Sequence, residues 1–370
     1  MRLRLDNMSD LRRTIGVAVL AAAALWSGLV PTPAASGFEQ VRPGYPWSFP
    51  RDHASHPGFK TEWWYLTGHL ESGGRHFGYQ LTFFRSALKG ARGADSSRQV
   101  YFAHFAVGQL DGGRFRFFEK MSRGGLGVAG ASEKDLRVWN GGWRLEGGNG
   151  PQRLRAEAAG VALELDLAAL KPPTVHGRDR ISRKGREPGH ASYYYSLTRL
   201  DTHGTLWLDG ASLPVRGASW MDHEFSSDQL SPQQKGWDWF SVQLSDGTDL
   251  MIYRMRLGGG GADPASSGTL IGAGGGKTDL SLAQFRVEPL GTWVSPHTGA
   301  TYPSGWRLTL PAEGLSLEVI PQLQDQELVT RHSRITYWEG ACAVRGTHNG
   351  RLVTGQGFVE LTGYAGPLRF

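Results

Sequence analysis

The stretch T-E-W-W-Y-L-T-G-H-L-E-S-G-G-R-H-F-G-Y-Q-L-T-F-F, residues 61–84, decides the fold. Phe77, Tyr79, Leu81 and Phe83 recur with a period of two, which puts four large apolar groups on one face of a strand. Residues 61–70 are equally β-prone, and Gly73-Gly74 between the two runs supplies a tight turn. The stretch therefore predicts an antiparallel hairpin. Within its first arm, Trp63 and Tyr65 point one way while Glu62 and Trp64 point the other, so one indole serves a core and the other a cavity or rim.

The same pattern repeats along the chain. Val100–Leu110, Phe115–Glu119, Leu136–Leu145, Val161–Leu167, Tyr193–Leu200 and Thr205–Leu208 are short apolar or alternating runs punctuated by Gly, Asp and Asn. Phe240, Val242 and Leu244 alternate up to an S-D-G-T turn, after which Leu250–Leu257 returns. Gly258–Gly276 reads as a glycine-rich surface loop. Further runs follow at Phe285–Leu290, Trp306–Leu310, Leu315–Ile320, Ile335–Arg345 and Leu352–Leu361. No long amphipathic helical pattern interrupts them, so the expectation is an all-β protein of antiparallel barrels or sandwiches. There are enough strands for two, with domains expected at residues 37–230 and 231–370.

Composition agrees: 370 residues carry 52 glycines and 13 tryptophans, with only 20% charged side chains. A single cysteine, Cys342, excludes an intramolecular disulfide framework. The net charge of +6 is spread out, and the one basic run, Arg178–Arg186, reads as a solvated loop, so nucleic acid is not an expected partner. Residues 1–36 look like a signal peptide: a basic start, an apolar run Ile15–Val30, and Ala34 and Ser36 before a cleavage point at Gly37. Sixteen apolar residues are short of the roughly 20 that span a bilayer. The mature protein is therefore expected in the periplasm or secreted.

The chemistry centres on A-S-W-M-D-H-E-F-S, residues 218–226. Asp222, His223 and Glu224 sit between Trp220 and Phe225, so alternation turns at least one ionisable group inward. A buried carboxyl must be paired, hydrogen-bonded or kept protonated, and one kept protonated near neutral pH is a general acid. Two readings stand side by side: a structural hydrogen-bond network at a strand end, or a proton donor in a pocket walled by Trp220, Trp237, Trp239 and Phe240. Glu339 and Glu360 lie near aromatic residues further on.

Other chemistries lack their frames: there is no G-x-S-x-G, no H-E-x-x-H and no C-x-x-C. Asp52, His53 and His56 on a loop are explained more simply by hydrogen bonding than by a metal. No metal and no cofactor is expected.

The order of D-H-A-S-H-P (52–57), E-W-W-Y-L-T-G-H-L (62–70), Y-Y-Y-S-L-T-R-L (193–200), S-W-M-D-H-E-F (219–225), G-W-D-W-F-S-V-Q-L (236–244), Y-W-E-G (337–340) and G-F-V-E-L-T-G-Y (357–364) resembles the hydroxyneurosporene synthase-like family. Its founding members are carotenoid 1,2-hydratases, and the resemblance covers about Trp47 to Tyr364. It implies two consecutive lipocalin-like β-barrels or sandwiches packed together, with a ligand cavity inside a β-barrel, an architecture similar to that of some fungal pericyclases. It also implies an acid at Asp222, with Trp220, Tyr193 and Tyr195 around it. His223, Glu224, Trp63, Trp64, Tyr65, Trp237 and Trp239 would then bind substrate. Where the hydratases carry His-x-Trp, this chain has Tyr193 and Tyr195.

Three functions follow as expectations. The first is a cofactor-independent hydratase, a lyase acting on an isoprenoid or other apolar alkene inside a β-barrel. The second is a carrier of a lipid or other hydrophobic molecule, and the third an accessory partner of a membrane transporter.

Overall fold

The computed structural model describes residues 37–88, 98–148, 150–187, 189–228 and 230–367. The expected signal peptide, residues 1–36, lies outside the described residues.

The hairpin forms as the alternation requires. Thr61–Ser72 pairs with Arg75–Ala87 in antiparallel register, closed by Gly73 and Gly74 at φ +56° and +77°. Such a two-residue turn matches the right-handed twist of its strands, and positive φ costs glycine nothing. Gln99–Gln109 and Arg114–Arg123 extend the sheet on one side. On the other side Ala211–Asp228 joins Thr61–Ser72, followed by Ala191–Leu208, Val161–Ala169, Gln152–Ala158, Trp143–Gly147, Leu136–Asn140 and Ala129–Ala131. This first sheet curls into a nearly closed barrel.

Its lumen is solid. Trp64, Phe77, Tyr79, Phe83, Phe105 and Trp143, each at most 2% exposed, interdigitate with leucines from the far strands. Burying each such side chain contributes about 2–3 kcal/mol.

The second sheet is a half-barrel. Gln234–Leu244 lies between Asp249–Leu257 and Arg351–Thr362, and beyond the latter run Thr336–His348, Leu315–Pro321, Trp306–Leu310 and Arg286–Pro289. It has its own core around Phe240, Trp306 and Trp338. The all-β, lipocalin-like architecture is thus present, with the first sheet ending at Asp228 and the second beginning at Gln234.

Two local expectations change. Tyr193–Leu200 and Thr205–Leu208 belong to one 18-residue strand, Ala191–Leu208. Its polar middle hides the continuity, and Gly204 lets it pass close to the neighbouring strand, where a Cβ would lie 2.1 Å from the Glu164 carbonyl oxygen. The glycine-rich segment 258–276 is not all loop either. Ser267–Ile271 is a largely buried strand pairing with Asp249–Tyr253, and the glycines turn the chain at its two ends.

Candidate active site between the two sheets

The long hairpin Ala191–Leu208 and Ala211–Asp228 presents one end of its outer face to the second sheet. Alternation puts Trp220, Asp222 and Glu224 on that face and Met221, His223 and Phe225 on the barrel side. Cross-strand register then lines up Ser196, Asp222, Tyr65, Thr82 and His104 in one row across five strands. Trp237, Trp239, Tyr253, Met255, Tyr337 and Glu360 face this row from the second sheet. Between them lies a cavity of about 80 Å³. That is space for a handful of waters or a slender apolar chain.

The cavity sits between the sheets, not in the barrel lumen as expected. The lumen is filled by the buried indole and phenyl groups named above.

Asp222 is 4% exposed and lies within hydrogen-bond reach of three side chains. Tyr194 Oη reaches Oδ2 at 2.6 Å, Trp220 Nε1 reaches Oδ1 at 2.6 Å, and Ser196 Oγ also lies on Oδ1. Burial pushes its pKa up from 3.8 to about 7 against the pull of these donors, and the Glu224 carboxyl adds to the rise. The proton has a place to go. Ser196 Oγ is 2.7 Å from His176 Nε2, whose Nδ1 meets Thr269 Oγ1 at 2.8 Å. With Nδ1–H donating to Thr269, Nε2 accepts the serine proton and Ser196 Oγ accepts one from Asp222. Burial holds His176 well below its usual range, so the imidazole is neutral and able to accept.

Tyr194 Oη also receives Trp239 Nε1 at 3.1 Å. Glu224 pairs with Lys184 at 3.0 Å, and that ammonium rests over the Tyr253 and Tyr194 rings at 4.0 and 5.0 Å. On the opposite wall Trp237 Nε1 donates to Glu360 at 3.0 Å, and burial raises this carboxyl to about 7 as well. Glu339 is its direct cross-strand partner and accepts from Tyr65 Oη at 2.7 Å. Burial first, then the facing Glu360, pushes Glu339 well above the carboxylate range.

Of the residues singled out in the sequence, Asp222, Trp220, Glu224, Trp63, Tyr65, Trp237 and Trp239 come together around this space. Tyr193, Tyr195, Trp64 and His223 do not. They lie on the other face of their strands, because neighbouring residues of a pleated strand point to opposite sides. His223 Nε2 bonds Glu62 at 2.9 Å, with Trp64 stacked on its ring at 4.7 Å. Tyr195 Oη bonds His53 Nδ1 at 2.6 Å, and Tyr193 Oη closes on the backbone of Arg42. The tyrosine beside Asp222 is Tyr194.

Sequence reading also missed Ser196, His176, Lys184 and His104, and left Glu360 outside the site. Only the Y-W-E-G and F-V-E-L patterns hinted at the second wall.

Among the described residues His56, Glu62 and His223 bring three metal-capable atoms within 4.8 Å of one another. Arg85 Nε lies 3.0 Å from Glu62, however, and supplies the positive charge an ion would bring. Glu62 also takes the backbone N–H of His56 and the hydroxyl of Ser55. The group is a saturated buried ion-pair network.

Fold and site together define a lipocalin-like two-sheet protein whose inter-sheet cavity is walled by aromatic rings and holds a buried carboxyl with a raised pKa. Known proteins of this build exist. The AttH-like family model matches residues 40–364, and the chain belongs to that family. The crystal structure of an AttH from Nitrosomonas europaea is 34% identical over 88% of this chain and all of its own, with a TM-score of 0.80. Kievitone hydratase from Nectria haematococca shares the fold at 15% identity and a TM-score of 0.69, over 89% of this chain and 97% of its own. CghA does so at 14% identity and 0.54, over 90% and 97%. No curated protein matches the chain.

Proposed function

We propose that the protein adds water to a carbon–carbon double bond of an apolar, isoprenoid-type substrate, with Asp222 as the general acid. The observation that carries this reading is the Asp222 carboxyl itself, held protonated up to about pH 7 at the wall of an aromatic cavity. The presence of a hydratase on the same fold is consistent with it.

In this reading Asp222 gives its proton to the less substituted alkene carbon, and a tertiary cation forms at the other. The π-faces around the cavity, Trp239, Tyr65 and Tyr194 among them, stabilise that cation by about 1–2 kcal/mol each when desolvated. Water attacks the cation and returns a proton to the Asp222 carboxylate, so the enzyme ends as it began. The Ser196–His176 link takes up the hydrogen-bond rearrangement at Oδ1 as the charge on Asp222 changes. No step calls for a metal or redox cofactor.

The test is incubation with trisubstituted-alkene isoprenoids in ¹⁸O-labelled water, followed by mass spectrometry. The reading expects a labelled tertiary alcohol with the wild type and none with Asp222→Asn. A wild type that binds these alkenes yet incorporates no label leaves a carrier and removes the enzyme.

A further inference from the structure

At the far end of the cavity one lining side chain keeps a polar atom without a partner, and two more such atoms belong to residues beside lining ones. Gln80, 2% exposed, lines the cavity; its Nε2 donates to Thr82 Oγ1 at 2.6 Å and to Tyr337 Oη at 3.2 Å, but its Oε1 has no partner. Thr67, directly opposite Gln80 in register, has an unpartnered Oγ1. On the second sheet Glu339, whose Oε1 takes the hydroxyl of the cavity-lining Tyr65, has an unpartnered Oε2. His104 Nδ1 meets Tyr337 Oη at 2.8 Å, completing a polar cluster within an otherwise aromatic wall.

A buried polar atom left without a hydrogen bond costs about 1–3 kcal/mol, and three together are not what apolar packing produces. They fit a group that both donates and accepts, which a hydroxyl does. Gln80 stands two strands from Asp222 and one pleat repeat along, so their backbones are separated by about 12 Å at ordinary strand spacing and rise.

We propose that this cluster is a second subsite, centred on Gln80 and Tyr337, that binds a hydroxyl oxygen of the ligand. The ligand class is therefore an elongated, oxygenated apolar molecule, with its hydroxyl at one end and its double bond at the Asp222 end. Pure hydrocarbons leave the subsite unanswered. The assignment of the double bond to Asp222 rests on the hydratase reading; the hydroxyl preference does not.

Farnesol is a suitable probe, because its hydroxyl and its terminal trisubstituted alkene lie at opposite ends of an extended chain. Its partner is the same triene with hydrogen in place of the hydroxyl. Binding is read from tryptophan emission, since Trp63, Trp237 and Trp239 line the cavity. The wild type should bind farnesol about tenfold or more tightly than the hydrocarbon. Gln80→Leu and Tyr337→Phe should each erase most of that preference and leave hydrocarbon affinity within about twofold of wild type. Asp222→Asn should keep the preference.

This separates the two proposals. An alcohol preference without any hydration supports the subsite alone, and hydration without such a preference supports the catalytic reading alone. Farnesol that binds no better than the hydrocarbon, or not at all, overturns the subsite. So does a preference that survives both variants.

Discussion

Replacing Asp222 with asparagine changes one proton and almost no volume, and its effect on stability reverses with pH. In the folded protein Asp222 keeps its proton up to about pH 7, whereas in the unfolded chain it releases it near 3.8. Between those values the folded state binds more protons, so rising pH destabilises it. The loss is at most about 1.4 kcal/mol per pH unit and ends above pH 7. From pH 5 to pH 8 the wild type should therefore lose about 3 kcal/mol through this group, a loss the variant cannot suffer. At pH 5 the variant should be weaker by about 1 kcal/mol, because the asparagine amide must oppose the N–H of Trp220 or the hydroxyl of Tyr194. At pH 8 it should be the more stable protein. Glu360 strengthens the contrast, since part of its own upward shift comes from the Asp222 charge. Urea unfolding of both proteins at several pH values measures the difference directly and cancels titrations they share. A difference that stays constant from pH 5 to pH 8 would show that Asp222 is ionised throughout, and the general-acid reasoning would fall with it.

Tyr194→Phe removes a donor from Asp222 and strands Trp239 Nε1. It should cost about 1–3 kcal/mol in urea unfolding and move the Asp222 titration to higher pH, and an unmoved titration would contradict the geometry. Glu62→Gln leaves the guanidinium of Arg85 buried without its counter-charge. A loss of about 3–5 kcal/mol is expected, and one below about 1 kcal/mol would show the network to be loosely held. His53, His69 and His104 are each held down to about 4 by burial, so all are neutral in the fold at pH 6. The unfolded chain takes up protons near 6.5, so stability should fall as pH drops from 6.5 towards 4. His104→Gln should flatten that slope, as followed by thermal unfolding, and an unchanged slope would count against its burial as the neutral form.

Much of this protein is local and therefore legible. Alternation at Phe77, Tyr79, Leu81 and Phe83 reads as strand because each residue's face depends only on its neighbours in sequence. The same rule correctly opposed Trp63 and Tyr65 to Glu62 and Trp64. Alternation holds at Y-Y-Y, residues 193–195, as well, with Tyr193 and Tyr195 on one face and Tyr194 on the other; it was the resemblance that placed Tyr193 and Tyr195 beside Asp222, and three like residues carry no mark of which face meets it. The strand also shifts register between Ala191 and Tyr193 and between Leu197 and Leu200, so which face of Tyr193–Leu197 meets Asp222 is set by its pairing with the neighbouring strand.

By itself, then, the sequence determined an all-β chain of hairpins, a buried acid in W-M-D-H-E, and its family through the order of its motifs. The tertiary structure alone decided that the barrel lumen is packed shut and that the cavity lies between two sheets. It also brought Glu360, Lys184 and Tyr337 to the space around Asp222. Those facts depend on register and on the packing of sheet against sheet, which join residues from about forty to more than a hundred positions apart and leave no periodic trace in either segment.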